Sequence, residues 1–177
     1  VDKIRLNPGN IYKKEQIREI VRAAKLHRIP IRVGVNSGSL RKAGNTASAM
    51  VKSALDYIKI LEKMGFYDIV VSLKAAYIFE TIEAYRKMAK LCVYPLHLGV
   101  TATGSPYSGL VKSTIALSAL LLEGIGDTIR VSLTDKPETE IRAAQSILEA
   151  LRLRRFGPEI ISCPTCGRCE IDLIHIV

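Results

Sequence analysis

Five short β-rich segments alternate with five helical segments along the 177-residue chain, and this alternation restricts the fold more than any other feature. The β-rich segments are dominated by Ile, Val and Leu, whereas the segments between them repeat their apolar residues at a period near 3.6. Strands that alternate with helices imply parallel pairing through right-handed crossovers. The predicted strands are Lys3–Leu6, Ile31–Val35, Asp68–Leu73, Leu96–Val100 and Thr128–Leu133, and the predicted helices are Glu15–Leu26, Ala47–Met64, Phe79–Leu91, Ser113–Leu122 and Glu138–Leu151.

Two architectures fit this alternation equally well, a closed βα barrel and an open doubly wound sheet. No G-x-G-x-x-G sequence follows any predicted strand, so the fingerprint of a dinucleotide-binding sheet is missing. The alternation ends after Arg155, where Gly157-Pro158 breaks the pattern and a cysteine cluster follows. We therefore predict an α/β domain over residues 1–157 and the start of a different domain over residues 158–177.

The formal net charge of +9 indicates an acidic partner, such as nucleic acid, an anionic membrane surface or a phosphorylated small molecule. Nucleic acid is disfavoured because the chain has only 7 Tyr, 3 Phe and no Trp, and its longest basic runs are pairs such as Lys13-Lys14. The longest apolar stretch, Ile115 to Leu122, is far too short to span a bilayer, and we expect no membrane partner. A phosphorylated small molecule is the remaining kind of partner that fits the charge.

Polar or cationic side chains occur near the carboxyl end of every predicted strand. Because side chains alternate between the two faces of a strand, the polar residues of each strand share one face. They are Arg5 and Asn7 in the first strand, Arg32, Gly34 and Asn36 in the second, Ser72 and Lys74 in the third, His97, Gly99 and Thr101 in the fourth, and Arg130, Ser132 and Thr134 in the fifth. The opposite face of these strands carries Ile, Val and Leu.

Four cations on one face of a buried sheet predict an anion-binding site. A strand that is buried on both faces normally carries apolar residues, and an unpaired buried charge costs free energy. In a βα barrel the active site lies at the carboxyl ends of the strands, where Arg5, Arg32, Lys74 and Arg130 would converge on a polyanion. A diphosphate is the natural candidate, because guanidinium groups form paired hydrogen bonds with phosphate oxygens. The alternative is that each cation is solvated at the rim or paired with a neighbouring aspartate such as Asp127.

Three of the four cysteines, Cys163, Cys166 and Cys169, lie within a run of seven residues. This is a ligand spacing rather than a disulfide framework, and it indicates a reducing compartment similar to the cytosol. Thiolates at this spacing bind zinc or an iron–sulfur cluster, and the spacing alone does not separate the two. A structural zinc needs four protein ligands, and neither Cys92 nor His175 is a convincing fourth. We expect the missing ligand beyond the end of this chain or in another subunit.

Five sequence blocks occur in an order that is specific to one enzyme family. The blocks are Lys3-Ile-Arg-Leu-Asn-Pro-Gly-Asn10, Ile31-Arg-Val-Gly-Val-Asn36, His97-Leu-Gly-Val-Thr101, Gly126-Asp-Thr-Ile-Arg-Val-Ser132 and Ile161-Ser-Cys-Pro-Thr-Cys-Gly-Arg168. With these blocks the chain resembles the 4-hydroxy-3-methylbut-2-enyl diphosphate synthase family. The resemblance covers essentially the whole chain, and the first and last blocks are its most specific part.

The resemblance implies a (β/α)8 TIM barrel followed by a domain that holds a [4Fe-4S] cluster. This chain would supply the C-terminal part of the barrel, with five βα units, and the start of the cluster domain. The implied reaction, in the non-mevalonate isoprenoid pathway, is the reductive ring opening and dehydration of 2-C-methyl-D-erythritol 2,4-cyclodiphosphate to 4-hydroxy-3-methylbut-2-enyl diphosphate. Ferredoxin or flavodoxin would donate the electrons, and the full-length enzyme would be a homodimer in the bacterial cytoplasm or the plastid stroma.

The resemblance also implies residue roles, position by position. The residues that would contact the diphosphate or line the barrel mouth are Arg5, Asn7, Arg32, Asn36, Lys74, Thr101, Arg130 and Ser132. Cys163 and Cys166 match two of the family's three cluster cysteines, while the third cysteine and a glutamate ligand would lie past the end of this chain. Cys169 is additional to the family pattern. Ala102 stands where the family usually has Glu, which puts proton delivery in the active site in question.

Two other interpretations fit the residues without the resemblance. In one, a barrel enzyme acts on a different phosphorylated or pterin-like substrate, and the cysteines hold a structural zinc. In the other, a basic zinc-bearing module binds nucleic acid. Under the barrel interpretation, an arc of five strands cannot close, so we expect this segment alone to be inactive and to assemble through its open edges.

Overall fold

The computed structural model describes residues 1–40, 46–101, 104–163 and 165–176 of the chain. Its helices and strands follow the predicted alternation. The strands are β1 (Ile4–Leu6), β2 (Ile31–Asn36), β3 (Ile69–Lys74), β4 (His97–Leu98) and β5 (Thr128–Ile129). The helices are α1 (Lys14–His27), α2 (Thr46–Lys63), α3 (Ile78–Ala89), α4 (Pro106–Leu121), α5 (Pro137–Ala150) and α6 (Leu173–Ile176), and a 3₁₀ turn spans Ser37–Ser39.

The five strands of the described chain are parallel and follow one another in chain order. β1, β2 and β3 form one sheet, in which Asn36 at the end of β2 pairs with Lys74 at the end of β3. β4 and β5 form a second sheet, and a single parallel bridge between Val71 and Leu96 connects the two sheets. The predicted α/β class with parallel strands is confirmed.

The helices cover the apolar face of the strands and enclose one buried core. Residues three and four apart lie on the same face of a helix, so the amphipathic spacing of α1 buries Ile17, Val21 and Ala24 together. At alternate positions of β2, Val33 and Val35 are almost completely buried in the same core. The polar residues at the intervening positions of the strands therefore face away from the helices.

Tyr85 of α3 connects the two sheets where their strands barely pair. Its side chain is fully buried. The hydroxyl oxygen accepts a hydrogen bond from the backbone N–H of Leu73 in β3 at 3.0 Å and donates one to the carbonyl of His97 in β4 at 2.5 Å. One side chain thus satisfies two backbone groups that a continuous ladder would otherwise pair.

Helix α4 is longer than the sequence analysis predicted, because it begins at Pro106 rather than at Ser113. Ser105 caps the helix by accepting a hydrogen bond from the backbone N–H of Ser108 at 3.4 Å, and a proline in the first turn suits a helix start. The prediction was wrong because Gly109, a poor helix former, interrupts the periodic pattern within these first turns. The last two predicted strands are also too long, since β4 and β5 each form a ladder over only two residues.

The chain after α5 differs from the βα units that precede it. From Gly157 to Asp172 the described residues form neither helix nor strand, and most of them are exposed. α6 is a single turn of helix without a buried residue. The division into domains at residues 157 and 158 therefore stays a prediction. Within the described ranges, no helix is both long enough and apolar enough to cross a membrane.

Replacing Tyr85 by Phe should destabilise the protein, because the buried N–H of Leu73 and carbonyl of His97 then lose their partner. We expect the free energy of unfolding to fall by about 1–3 kcal/mol, as measured by urea denaturation of the full-length protein. Tyr107→Phe is the matched control, since Tyr107 is 80% exposed. The control should change the free energy by less than about 0.5 kcal/mol. An equal effect of the two substitutions would contradict the role assigned to Tyr85.

Candidate functional site

A small cavity lies at the carboxyl ends of the strands, on the face that the helices leave uncovered. Its volume is about 60 Å³. The residues that line it are Arg5, Arg32, Asn36, Lys74, Thr101 and Arg130. The cavity thus collects six of the eight predicted substrate-binding residues. The parallel register accounts for this, because it aligns the ends of consecutive strands at one edge.

Backbone carbonyls of neighbouring strands hold two of the guanidinium groups in place. Arg5 donates from Nη2 to the carbonyl of Gly34 at 2.9 Å, and Arg130 donates from Nη2 to the carbonyl of Val100 at 3.0 Å. A guanidinium has five N–H donors, so each group keeps further donors for a ligand. The Nε atoms of Arg32 and Arg130 are buried without a hydrogen-bond partner among the described residues. Buried donors are normally paired, so these two mark a place for acceptor oxygens.

The cations around this cavity have no carboxylate counterion in the part of the chain that the structure describes. Among the described residues, no ion pair within 4.0 Å includes Arg5, Arg32, Lys74 or Arg130. The alternative in which aspartates neutralise these cations therefore lacks support. Asp127, for instance, accepts a hydrogen bond from the backbone N–H of Leu96 at 2.7 Å. Its carboxylate thus binds a backbone group at the opposite end of β4, away from the cavity.

One acidic residue does influence the cavity from outside. The Glu140 carboxylate favours the charged form of Arg130, although burial, the larger effect, lowers the pKa of that guanidinium. Glu140 itself accepts a hydrogen bond from the backbone N–H of Leu133 at 2.8 Å. Its main contact therefore holds the segment after β5 against α5.

Lys74 is the most buried of the four cations, with only 4% of its surface exposed. Burial, together with repulsion from Arg130, Arg32 and Arg5, lowers the pKa of the Lys74 ammonium to about 7. Both causes disfavour the charged form, because desolvation and like charges each raise its energy. The amine of Lys74 therefore changes its charge within the physiological pH range, unlike an ordinary lysine.

His97 faces the same side of the sheet but adds no positive charge. Its Nδ1 lies 2.8 Å from the Thr128 hydroxyl oxygen, while its Nε2 is buried without a partner among the described residues. Burial and the neighbouring Lys74 lower the pKa of the imidazole to about 3. The ring is therefore neutral at physiological pH, and it is not among the residues that line the cavity.

Two predicted residues, Asn7 and Ser132, are not among those that line the cavity. The Asn7 side-chain oxygen accepts hydrogen bonds from the backbone N–H of Gly9 at 3.1 Å and from the Ser39 hydroxyl at 3.2 Å. It holds the turn after β1 against the turn after β2. Ser132 follows β5 and is only partly buried. The departure from the family pattern at Ala102 lies outside the described residues.

Gly34 and Tyr85 both shape the site, although the sequence gives no signal for their contacts. Alternation along β2 places Gly34 on the polar face, but only the structure shows that its carbonyl holds Arg5. Tyr85 lies on the apolar face of α3, where a tyrosine is normally a core residue. The periodic pattern therefore gave no signal for its hydrogen bonds to Leu73 and His97.

The cysteine motif supplies ligands of the right chemical type but not a complete ligand set. The thiols of Cys163 and Cys166 are exposed, and Cys169 donates from Sγ to the carbonyl of Ile171 at 3.3 Å. The described residues contain no group of three or more His, Cys, Asp or Glu side chains arranged to hold a metal. Two adjacent thiolates suit an iron–sulfur cluster, which needs further ligands to complete its shell.

The remaining two candidate ligands are less suited to that role. Cys92 is half-buried, and burial raises the pKa of its thiol, which disfavours the thiolate that binds a metal. The His175 Nδ1 lies 2.6 Å from an Asp172 carboxylate oxygen, within one turn of the same exposed segment. Neither side chain lies in a ligand cluster with Cys163 and Cys166.

Parallel βα units with a polar cavity at their strand ends are typical of the TIM-barrel class. Residues 1–145 match the GcpE TIM-barrel domain. The chain belongs to this family. The family resemblance inferred from the five sequence blocks is thereby confirmed.

Curated relatives match the chain along essentially its whole length. Three of them are the proteins named 4-hydroxy-3-methylbut-2-en-1-yl diphosphate synthase (flavodoxin) from Lawsonia intracellularis, Caldanaerobacter subterraneus subsp. tengcongensis and Thermodesulfovibrio yellowstonii. They are 53%, 54% and 53% identical over 182, 181 and 183 residues, which cover 99%, 99% and 100% of this chain. The same alignments cover 51%, 51% and 52% of the relatives, so the chain spans about half their length.

Replacing Lys74 by Met should stabilise the protein, and the gain should shrink as the pH rises. The folded-state pKa of Lys74, about 7, lies below the ordinary 10.5, so between these values the unfolded chain binds more protons. The free energy of unfolding of wild type therefore rises between about pH 7 and pH 10.5, whereas a Met side chain has no proton to lose. We expect the gain in unfolding free energy from Lys74→Met to be larger at about pH 6 than at about pH 9 in urea denaturation.

Lys52→Met is the matched control for this experiment. Lys52 is exposed and forms a 2.6 Å ion pair with Asp56 on the surface of α2. Its replacement should have a small effect that is the same at both pH values. A gain from Lys74→Met that does not depend on pH would contradict the proposed cost of charging this amine.

Proposed function

We propose that this chain supplies the diphosphate-binding part of a 4-hydroxy-3-methylbut-2-en-1-yl diphosphate synthase. The observation that carries the proposal is the cavity at the strand ends, where four cations meet and no described carboxylate forms an ion pair with them. The names of the curated relatives support the same reaction. In this proposal residues 1–157 form five βα units of a (β/α)8 barrel, and residues 158–177 begin a cluster-binding domain.

The proposed reaction opens the ring of 2-C-methyl-D-erythritol 2,4-cyclodiphosphate by reduction. The bond between a ring carbon and a phosphate oxygen breaks, and a hydroxyl group leaves as water. Two electrons and two protons enter for each molecule of 4-hydroxy-3-methylbut-2-enyl diphosphate that forms. The word flavodoxin in the relatives' names supports a flavodoxin as electron donor, and ferredoxin is the alternative.

The cations of the cavity would bind the diphosphate and stabilise the charge that develops on it. Arg5, Arg32, Lys74 and Arg130 would each contribute a charge-assisted hydrogen bond worth about 1.5–3 kcal/mol. When the carbon–oxygen bond breaks, the released phosphate oxygen gains negative charge, so the cations interact more strongly with the transition state than with the intact ring. These residues would therefore accelerate the ring opening as well as hold the substrate.

The side chains that line the cavity favour binding of the phosphoryl groups of the substrate, because four of the six are cationic. The Asn36 amide and the Thr101 hydroxyl would donate hydrogen bonds to the oxygens of these groups. The carbon ring would then project out of the cavity, towards the side from which electrons arrive.

Cys163 and Cys166 would hold two irons of a [4Fe-4S] cluster, and the remaining ligands would come from outside the described residues. When bound, the cluster supplies the electrons for the reduction one at a time. Exposed thiols at this spacing fit a reducing, cytoplasmic type of compartment. The incomplete ligand set also fits an assembly of two subunits, in which the cluster domain of one covers the barrel of the other.

Replacing Arg32 by Gln should lower kcat/KM for the cyclodiphosphate by about 10- to 100-fold, because one charged contact to the diphosphate is lost. The assay uses the full-length protein under anaerobic conditions, with reduced flavodoxin as the electron donor. Arg18→Gln is the matched control, because Arg18 is an exposed residue of α1. Unchanged kcat/KM in Arg32→Gln would count against the proposed diphosphate site.

Replacing Cys163 or Cys166 by Ser should abolish the broad visible absorbance of the anaerobically reconstituted protein, because a cluster ligand is removed. Cys169→Ser should keep this absorbance, since Cys169 is not assigned as a ligand. Iron and zinc contents measured on the same samples separate the cluster from a structural zinc. A colourless wild-type protein with stoichiometric zinc would instead favour a different barrel enzyme.

A further inference from the structure

The side chain of Arg5 lies directly on the bare backbone of β2 at Gly34. A Cβ atom at position 34 would lie 2.4 Å from Nε of Arg5 and 3.1 Å from both Cδ and Cγ of Arg5. Real Cβ atoms essentially never approach another heavy atom to 2.4 Å. The observed path of Arg5 therefore requires that position 34 carries no side chain.

The register of the strands explains why Arg5 must take this path. Arg5 in β1 pairs with Arg32 in β2, whereas Lys74 pairs with Asn36, which is four residues further along β2. The backbone of Arg5 therefore lies two inward-facing positions nearer to the amino ends of the strands than the backbone of Lys74. To reach the cavity that both residues line, its side chain must run along the strands and cross the intervening position, Gly34.

Backbone conformation does not account for the glycine. Gly34 lies in the middle of a regular strand, and it is absent from the residues with positive φ. Another residue could therefore adopt this backbone conformation. The close approach of Arg5 is the feature that only glycine satisfies, and the Gly34 carbonyl also accepts the 2.9 Å hydrogen bond from Arg5 Nη2.

A second glycine shows the same relation to another cation. At Gly99 an added Cβ would lie 3.2 Å from Cε of Lys74 and 2.9 Å from the carbonyl oxygen of Arg130. Two of the inward-facing positions beside the cavity thus lack a side chain where a long cationic side chain passes. Of these two glycines, Gly34 is the one whose three nearest atoms all belong to a movable side chain, so the effect of a methyl group is simpler there.

We propose that Gly34 is a positioning residue of the anion site, which acts by leaving open the path along which Arg5 reaches the cavity. The proposal rests on the proposed diphosphate-binding function of that cavity. A methyl group at position 34 would displace the Arg5 side chain rather than the backbone of β2. The strand and its ladder would persist, while the guanidinium would leave its carbonyl and its place at the cavity wall.

The first test measures the affinity of the full-length protein for inorganic pyrophosphate by titration calorimetry. Gly34→Ala should weaken binding by about 10- to 100-fold, which is the effect expected for the loss of one charged contact. Gly157→Ala is the matched control, because an added Cβ there meets nothing within 4 Å. Equal affinities of wild type and Gly34→Ala would overturn the proposal.

A double-mutant cycle separates a positioning role from a general structural effect. In the Arg5→Met background, Gly34→Ala should weaken pyrophosphate binding by less than about twofold, because its effect is exerted through Arg5. The melting temperatures of wild type and Gly34→Ala should stay close together. Additive losses of affinity in the cycle would show that Gly34 acts through something other than Arg5, and would overturn the proposal.

A ligand-independent measurement tests the proposal even if the diphosphate function is wrong. The Arg5 Nε–Hε resonance can be assigned by its loss from the NMR spectrum of Arg5→Met. In Gly34→Ala this resonance should shift and exchange faster with water, while Gly157→Ala should leave it unchanged. An undisturbed Arg5 resonance in Gly34→Ala would overturn the inference. Failure of wild type to bind pyrophosphate would overturn only the proposed function.

Discussion

Mutual repulsion among four cations at the strand ends is the constraint on which the rest of the site depends. Arg5, Arg32, Lys74 and Arg130 line one small cavity, and no described carboxylate forms an ion pair with them. Burial of these groups, and then the repulsion between their like charges, raise the free energy of the folded state, and the lowered pKa of Lys74 reflects both effects. A bound polyanion would add an attractive contact to each cation and so offset their repulsion. An anion that binds only the folded protein would therefore also stabilise the fold.

The surrounding fold keeps these cations together in spite of their repulsion. The apolar faces of the strands are buried under the helices, so the strands cannot rotate their charged faces into solvent without exposing the core. Carbonyls of Gly34 and Val100 hold two guanidinium groups, and Tyr85 ties β3 to β4 where their ladder is reduced to one bridge. The cationic cavity is thus preorganised by backbone groups, and this lowers the cost of ordering it when an anion binds.

The sequence predicted those features that depend on periodicity and missed those that depend on particular tertiary contacts. Alternation along parallel strands was sufficient to place Arg32, Lys74 and Arg130 at one edge. Asn7 lies beyond the end of β1, where the chain turns and alternation no longer fixes the direction of a side chain, and it bonds to the turns instead. The hydrogen bonds of Tyr85 could not be predicted, because they depend on how two strands approach each other. The ligand type indicated by the cysteine spacing stays a prediction, because the described residues contain no group of three or more His, Cys, Asp or Glu side chains arranged to hold a metal.

Proton uptake on anion binding is the most direct test of the central claim that the cavity holds unpaired, mutually repelling cations. At about pH 8 most of Lys74 is neutral in the free protein, whereas a bound anion favours the ammonium form. Calorimetric titration of the full-length protein with inorganic pyrophosphate, in buffers of different ionisation enthalpy, gives the number of protons taken up. Comparison with the Lys74→Met protein isolates the contribution of Lys74. We expect wild type to take up nearly one proton more than Lys74→Met, and equal uptake by the two proteins would contradict the presence of mutually repelling cations in the cavity.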